Sequence, residues 1–202
     1  MKIIAHRGND NIHKENSFES IINTINKKNV DGVEFDIRLT KDDKFVINHD
    51  PFYKGLFIKE TSSNHLKMIG LNTLDEVINS ITNSKIILLD VKADKGVEKT
   101  SKILKETLTK KLNYYICSFS YPFINYLTNN YDFKTGLIIG KNINAKHIIN
   151  RFKFNVIHYK YRGKIPNKET FFWTVNNVKD IKGENIITDR PKEMSDFIEK
   201  NS

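Results

Sequence analysis

The chain has 202 residues, 39% hydrophobic and 28% charged, a balance that excludes a disordered polymer and is ample for a folded core. Its formal net charge is +9 and its pI about 9.4, but lysines are spread along the sequence and no nucleic-acid site is expected. One cysteine, Cys117, excludes an intramolecular disulfide, and no apolar run nears the roughly 20 residues of a membrane helix.

Taken in chain order, the first short apolar run covers 2–5 and ends in His6-Arg7-Gly8. This start is too short for a leader before His6, so with the lone thiol a cytoplasmic protein is expected. A helix is predicted over 17–28, with Phe18, Ile21, Ile22 and Ile25 on one face and Ser17 as its cap. The next run, 32–37, contains Glu34-Phe35-Asp36, and the run 45–48 leads into His49-Asp50. A helix over 73–81 carries a capping box, Thr73 with Glu76. Then come a strand over 85–91 ending in Asp90-Val91-Lys92, a helix over 97–108, a strand over 114–118 and a helix over 122–130. Strands over 135–139, 155–159, 170–175 and 185–188 follow, and a helix over 193–200 closes the sequence.

Several runs are apolar almost throughout, as strands covered on both faces are. Strand–helix alternation implies a parallel sheet, and about eight units suggest a compact (β/α)₈ barrel, with a doubly wound open sheet as the alternative. The stretch 160–168 is short for a helix, so one or two helices are expected to be reduced to loops. No linker or composition shift divides the chain, so residues 1–202 read as a single domain.

In a parallel barrel, reacting groups gather where strands end. Glu34 and Asp36, two apart on a strand, point to one side and repel each other unless positive charge lies between them. Asp90 can complete the set. Three carboxylates without a His/Cys cluster favour one hard dication, Mg²⁺ or Ca²⁺. His6 and His49 form an acid/base pair able to exchange protons near neutral pH. Arg7 and Lys92 add fixed positive charge for a phosphoryl group. His13, His65, His147 and His158 read as surface or satisfied core residues, and Cys117 as a small buried hydrophobe.

This pattern resembles the glycerophosphodiester phosphodiesterase family. The matching motifs run His6-Arg7-Gly8, Glu15-Asn16-Ser17, Gly32 to Asp36, Thr40-Lys41-Asp42, His49-Asp50, Leu89 to Lys92, Ser118-Phe119, Trp173 to Asn176 and Thr188 to Pro191. The resemblance implies a barrel and one metal on Glu34, Asp36 and Asp90. It gives acid/base work to His6 and His49, and phosphate binding to Arg7 and Lys92. Glu15 would support the metal or the glycerol, and Trp173 would form an apolar wall beside the glycerol. It further implies cleavage of a small glycerophosphodiester to glycerol 3-phosphate and an alcohol through a cyclic phosphate. Two departures stand out. Asp90 replaces the usual Glu, as in the related sphingomyelinase D group, and the segment between His49 and Asp90 is short. A lysophospholipase D-like activity and a non-catalytic phosphodiester-binding barrel stay open as alternatives. Phe52, Tyr53, Leu56 and Phe57 after His49 leave peripheral membrane contact open, with packing of a shortened loop the simpler reading. The sequence is silent on oligomeric state.

Overall fold

β-Branched and apolar runs form the strands, and capped amphipathic stretches form the helices, in the computed structural model, which describes residues 1–165, 167–181 and 185–201. In chain order these are β1 (Ile3–Ala5), α1 (Phe18–Ile25), β2 (Gly32–Leu39), β3 (Phe45–Ile47), β4 (Phe52–Tyr53), β5 (Leu56–Phe57), α2 (Ser63–Met68), α3 (Leu74–Ser80), β6 (Ile86–Lys92), α4 (Val97–Thr107), β7 (Asn113–Ser118), α5 (Tyr121–Asn130), β8 (Lys134–Ile139), β9 (Phe154–His158), β10 (Thr170–Trp173), β11 (Asn185–Thr188) and α6 (Pro191–Lys200). The strands pair in the order β1, β2, β6, β7, β8, β9, β10, β11, and β11 returns to β1, all in parallel. This is a closed (β/α)₈ barrel. The run 45–48 is not a barrel strand; β3 lies antiparallel on β2, Leu39 opposite Phe45.

Two apolar layers hold the barrel. Outside it, Phe35, Ile37, Leu89 and Ile116 meet Ile21 and Ile25 of α1, Val77 of α3 and Phe123 and Leu127 of α5, all fully buried. Ser17 and Thr73 cap α1 and α3 through capping boxes. Inside, Tyr115, Phe154 and Phe171 meet edge to face at 5.0–6.0 Å and plug the end from which the strands start. Gly136 makes this possible, because a Cβ there would lie 2.5 Å from the Phe154 ring. Leu88, Cys117, Ile138, Val156 and Ile187 stack above the plug. The other end is polar.

More helices are reduced than the one or two expected. Among the described residues the β8–β9 and β9–β10 connections have no helix, and the β10–β11 connection keeps a single 3₁₀ turn, Val178–Asp180. Residue 166 of the 160–168 stretch lies outside the described residues. In place of a helix, the segment after β8 lays Ala145, Ile149 and Phe152 on the barrel wall. Apolar anchors alone seal that wall, so the chain needs no helical periodicity there.

The β2–β6 connection carries α2 and the β4–β5 hairpin. Tyr53 and Leu56 are partly buried in it, but Phe52 and Phe57 are about half exposed, so packing of the loop accounts for only two of the four apolar side chains.

Candidate active site

The polar groups predicted from strand ends converge at the mouth of the barrel. Along β2 the inward positions are Glu34, Asp36 and Arg38, and along β6 they are Asp90 and Lys92, with Asp36 registered opposite Asp90. Glu34, Asp36 and Asp90 are each 5% exposed or less, and each offers one carboxylate oxygen within 4.8 Å of the others. Burying three acids together costs far more than pairing returns unless cations intervene. Lys92 supplies one, its ammonium 2.8 Å from Asp36 and 2.5 Å from Asp90. Burial works against that charge, but the two acids outweigh it and hold Lys92 above its ordinary value.

One cation is not enough. Burial, then the neighbouring Asp36 charge, lifts Glu34 to about 7. Burial lifts Asp90 to about 6 against the pull of Lys92. Burial also works to raise Asp36, yet Lys92, Asn16 and Arg7 prevail and hold it below the usual range. Asp90 keeps one buried oxygen, Oδ1, with no hydrogen-bond partner. Surplus negative charge, all-oxygen donors and an unpaired carboxylate oxygen are what a hard dication satisfies. The residues therefore fit a divalent cation, while nothing in them selects Mg²⁺ over Ca²⁺.

A tight turn delivers His6 and Arg7. After β1 the chain enters the left-handed region at Arg7 (φ 52°) and Gly8 (φ 64°). A Cβ on Gly8 would lie 2.7 Å from Ile21, so α1 packs directly on the turn. Arg7 is a side chain held where few are comfortable, as happens when a site dictates the backbone. Its N–H donates to Glu34 Oε2 at 2.9 Å, and its guanidinium reaches Glu15 at 2.6 Å and Asp36 at 3.5 Å. Glu15 is half exposed and meets the site through Arg7 rather than through the carboxylates.

His6 Nδ1 lies 2.6 Å from Asp189 Oδ1, and Nε2 lies 3.9 Å from Glu34. Burial opposes protonation of this ring, but the Asp189 hydrogen bond and the Glu34 charge outweigh it, so its pKa is raised. His49 follows β3, with Nδ1 2.8 Å from Asp50. Both imidazoles, the three acids, Arg7 and Lys92 line one cavity of about 330 Å³. Its opposite wall is apolar: Phe119, Ile138, Val156, Ile187 and Trp173, with Phe119 and Trp173 edge to face at 5.6 Å.

Four further residues hold the site and were not among the sequence candidates. Asn16, itself at φ 55°, donates to Asp36 Oδ2 at 2.8 Å and accepts the Asp36 N–H. Buried Arg38 donates twice to the His49 carbonyl, at 2.9 and 2.6 Å, and pairs with Asp94. Asp189 orients His6, and Asn176 donates to Asp189 at 2.5 Å. Asn16, Asn176 and Asp189 stand inside the recognised motifs, which was the available signal; Arg38 lies two residues beyond Asp36, with the same period-two spacing.

A barrel with acids, imidazoles and fixed cations facing an apolar wall defines a hydrolase of phosphoric diesters. The model of the glycerophosphoryl diester phosphodiesterase family matches residues 6–160. The chain belongs to that family. Among solved structures it is similar to the glycerophosphodiester phosphodiesterase of Thermotoga maritima, with 22% identity, TM-score 0.77, and 100% of this chain and 98% of that one covered. One from Parabacteroides distasonis has 20% identity and TM-score 0.81, with 99% and 97% covered. An Oleispira antarctica phosphodiesterase, in complex with the product sn-glycerol-3-phosphate, has 19% identity and TM-score 0.78, with 98% and 97% covered. No curated protein sequence matches significantly.

Proposed function

We propose that the protein hydrolyses small glycerophosphodiesters to sn-glycerol 3-phosphate and an alcohol, by metal-dependent acid/base catalysis through a cyclic phosphate. The observation that carries this is the meeting of three buried carboxylates, two imidazoles and two fixed cations in one cavity with an apolar far wall. The product held by the Oleispira antarctica relative supports the same substrate class. Glu34, Asp36 and Asp90 would hold one Mg²⁺ or Ca²⁺, which when bound would set positive charge against the phosphoryl oxygens.

Arg7 and Lys92 grip the phosphate, and Phe119 and Trp173 hold the glycerol carbons. His49 takes the proton from the glycerol 2-hydroxyl as its oxygen attacks phosphorus. His6, whose bond to Asp189 favours its protonated form, gives its proton to the departing alcohol oxygen as that P–O bond breaks. Asp189 fixes Nδ1 as the ring's outer donor and so leaves Nε2 facing the cavity. The cyclic phosphate then takes up water with the two roles exchanged, and the ring opens to glycerol 3-phosphate. Glu15 acts by holding the Arg7 guanidinium.

Purified protein given glycerophosphocholine or glycerophosphoethanolamine with Mg²⁺ or Ca²⁺ should release glycerol 3-phosphate, and EDTA should stop it. Release undiminished by EDTA would remove the metal from the account. Half-exposed Phe52 and Phe57 favour a second reading, a lysophospholipase D-like enzyme that works at a lipid surface. Faster cleavage of micellar lysophospholipid than of water-soluble diester would select it.

A further inference from the structure

Basic residues occur throughout the sequence, but acidic ones do not. Between residues 133 and 168 there are nine Lys and Arg and no Asp or Glu, while the rest of the chain carries 24 of each sign, so the net charge of +9 resides in this one segment. It runs from β8 to the start of β10, the part of the barrel that lacks two helices.

Several of the nine have partners at the barrel's flank or plugged end. Lys153 pairs with Asp132 at 2.8 Å, Lys134 lies over the Tyr115 ring at 4.5 Å, Lys168 donates to the carbonyls of Asn150 and Phe152, and Arg151 donates to the Tyr121 hydroxyl. Among the described residues, Lys153 makes the one ion pair of the nine. Lys141, Lys160, Arg162 and Lys164 stand elsewhere, Lys160 with its ammonium 5.1 Å from the centre of the Tyr159 ring. They follow the ends of β8 and β9, on the side where the cavity opens, and all four are exposed.

One wall separates these cations from the cavity. His158 ends β9 beside Trp173, with ring centroids 5.3 Å apart, and stacks on Tyr159 at 5.0 Å. The Tyr159 N–H donates to the Trp173 carbonyl at 3.0 Å. The charges of Lys141 and Lys160 both bear on His158, which burial and these two cations hold below its ordinary pKa. Trp173 thus has the cavity on one face and a cationic rim behind it.

A surface kept soluble by charge normally mixes signs, whereas a field of one sign beside a site concentrates ligands of the other. The phosphate to be cut has its own cations, Arg7 and Lys92, across the cavity. We propose that the substrate is a glycerophosphodiester bearing at least one further phosphate, and that Lys141, Lys160 and Arg162 receive this second anionic group beyond Trp173. The inference rests on the phosphodiesterase reading above and narrows its substrate class. A choline or ethanolamine head group gains nothing from such a rim. An anionic bilayer would feel the same field, and Ile143 and Ile165 are exposed among these cations, but the half-exposed aromatics, Phe52 and Phe57, lie apart from them on the β4–β5 hairpin.

The test compares glycerophosphoinositol with glycerophosphoinositol 4-phosphate, which differ by one phosphate. Wild-type kcat/KM should favour the phosphorylated diester by on the order of tenfold at low salt, and the gap should close as salt rises. The variant K141Q/K160Q/R162Q should lose this preference while cleaving glycerophosphoinositol within about twofold of wild type, which also reports an intact fold. Equal kcat/KM for both diesters in the wild type, or a preference unchanged in the variant, overturns the proposal and leaves the phosphodiesterase reading intact. So does a variant that stops sedimenting with phosphatidylglycerol vesicles while its diester kinetics stay unchanged, which would make the rim a membrane contact. Failure of the wild type to cleave any glycerophosphodiester with Mg²⁺ or Ca²⁺ overturns both.

Discussion

The two walls of the cavity are built on opposite principles. The wall on β1, β2 and β6 carries every charged group that lines the cavity apart from His49, and each is fixed by a second polar residue: Asp189 behind His6, Asn16 beside Asp36, Glu15 beside Arg7. Helices α1 and α3 pack behind it. The wall on β7 to β10 presents Phe119, Ile138, Val156 and Trp173; α5 backs β7 and β8, while among the described residues no α-helix follows β8, β9 or β10. The difference teaches where rigidity is needed. Charges must be held to within a fraction of an ångström to act on a transition state, whereas an apolar wall has only to keep its shape. Helices stand behind the whole of the first, whereas behind the second only α5, on β7 and β8, is kept among the described residues.

The sharpest way to break this contrast is to neutralise the charged wall. H6A should cost on the order of 10²–10⁴ in kcat. D36N should cost as much or more and should also abolish any response to added dication. A D36N enzyme with near wild-type turnover would show that the acids are structural. Next in size is D189N. Loss of the hydrogen bond and charge that raise His6 should lower turnover by on the order of 10–10². The pH at which the acid form of His6 is lost should move down; a kcat/KM profile unmoved by D189N would separate Asp189 from His6. On the apolar wall, W173A should raise KM on the order of tenfold and change kcat less, because it removes uniform contact with the glycerol. An equal fall in kcat would mean that this wall, too, acts on the transition state.

The smallest effect is on stability. Glu34 is raised to about 7 and Asp90 to about 6, while both titrate near 4 in an unfolded chain. Between about pH 5 and 7, ion-free folded protein therefore holds more protons than unfolded protein, and its stability should fall as pH rises. E34Q should flatten that slope, and a saturating dication, which keeps both acids deprotonated in the folded state, should remove their share of it. Thermal melts at fixed ionic strength, with and without the ion, would show a rising Tm in ion-free protein if the direction is wrong.

Much of the charged wall was legible in the sequence because strand geometry is local. Glu34 and Asp36 are two apart, and so are Asp90 and Lys92; each pair ends an apolar run, so a common face follows from period two alone. Caps and capping boxes likewise announced α1 and α3. What could not be read locally was pairing across the barrel. His6 and Asp189 are 183 residues apart and meet only because β11 closes against β1. Arg38 continues the same period-two spacing, but its role could not be read because its target is the backbone carbonyl of His49, which has no residue signature. The number of missing helices was underestimated because the segment after β8 covers the wall with Ala145, Ile149 and Phe152 as single anchors rather than a stripe.

The central claim is that three buried carboxylates form a site for one dication, and calorimetric titration of ion-free protein with Ca²⁺ and Mg²⁺ near pH 6.5 tests it directly. Wild type should bind one ion per chain and release protons from Glu34 and Asp90 as it does so, giving a heat that depends on the ionisation enthalpy of the buffer. D36N should bind none. Wild-type protein that binds neither ion at millimolar concentration, or a D36N variant that binds as wild type does, would contradict the account.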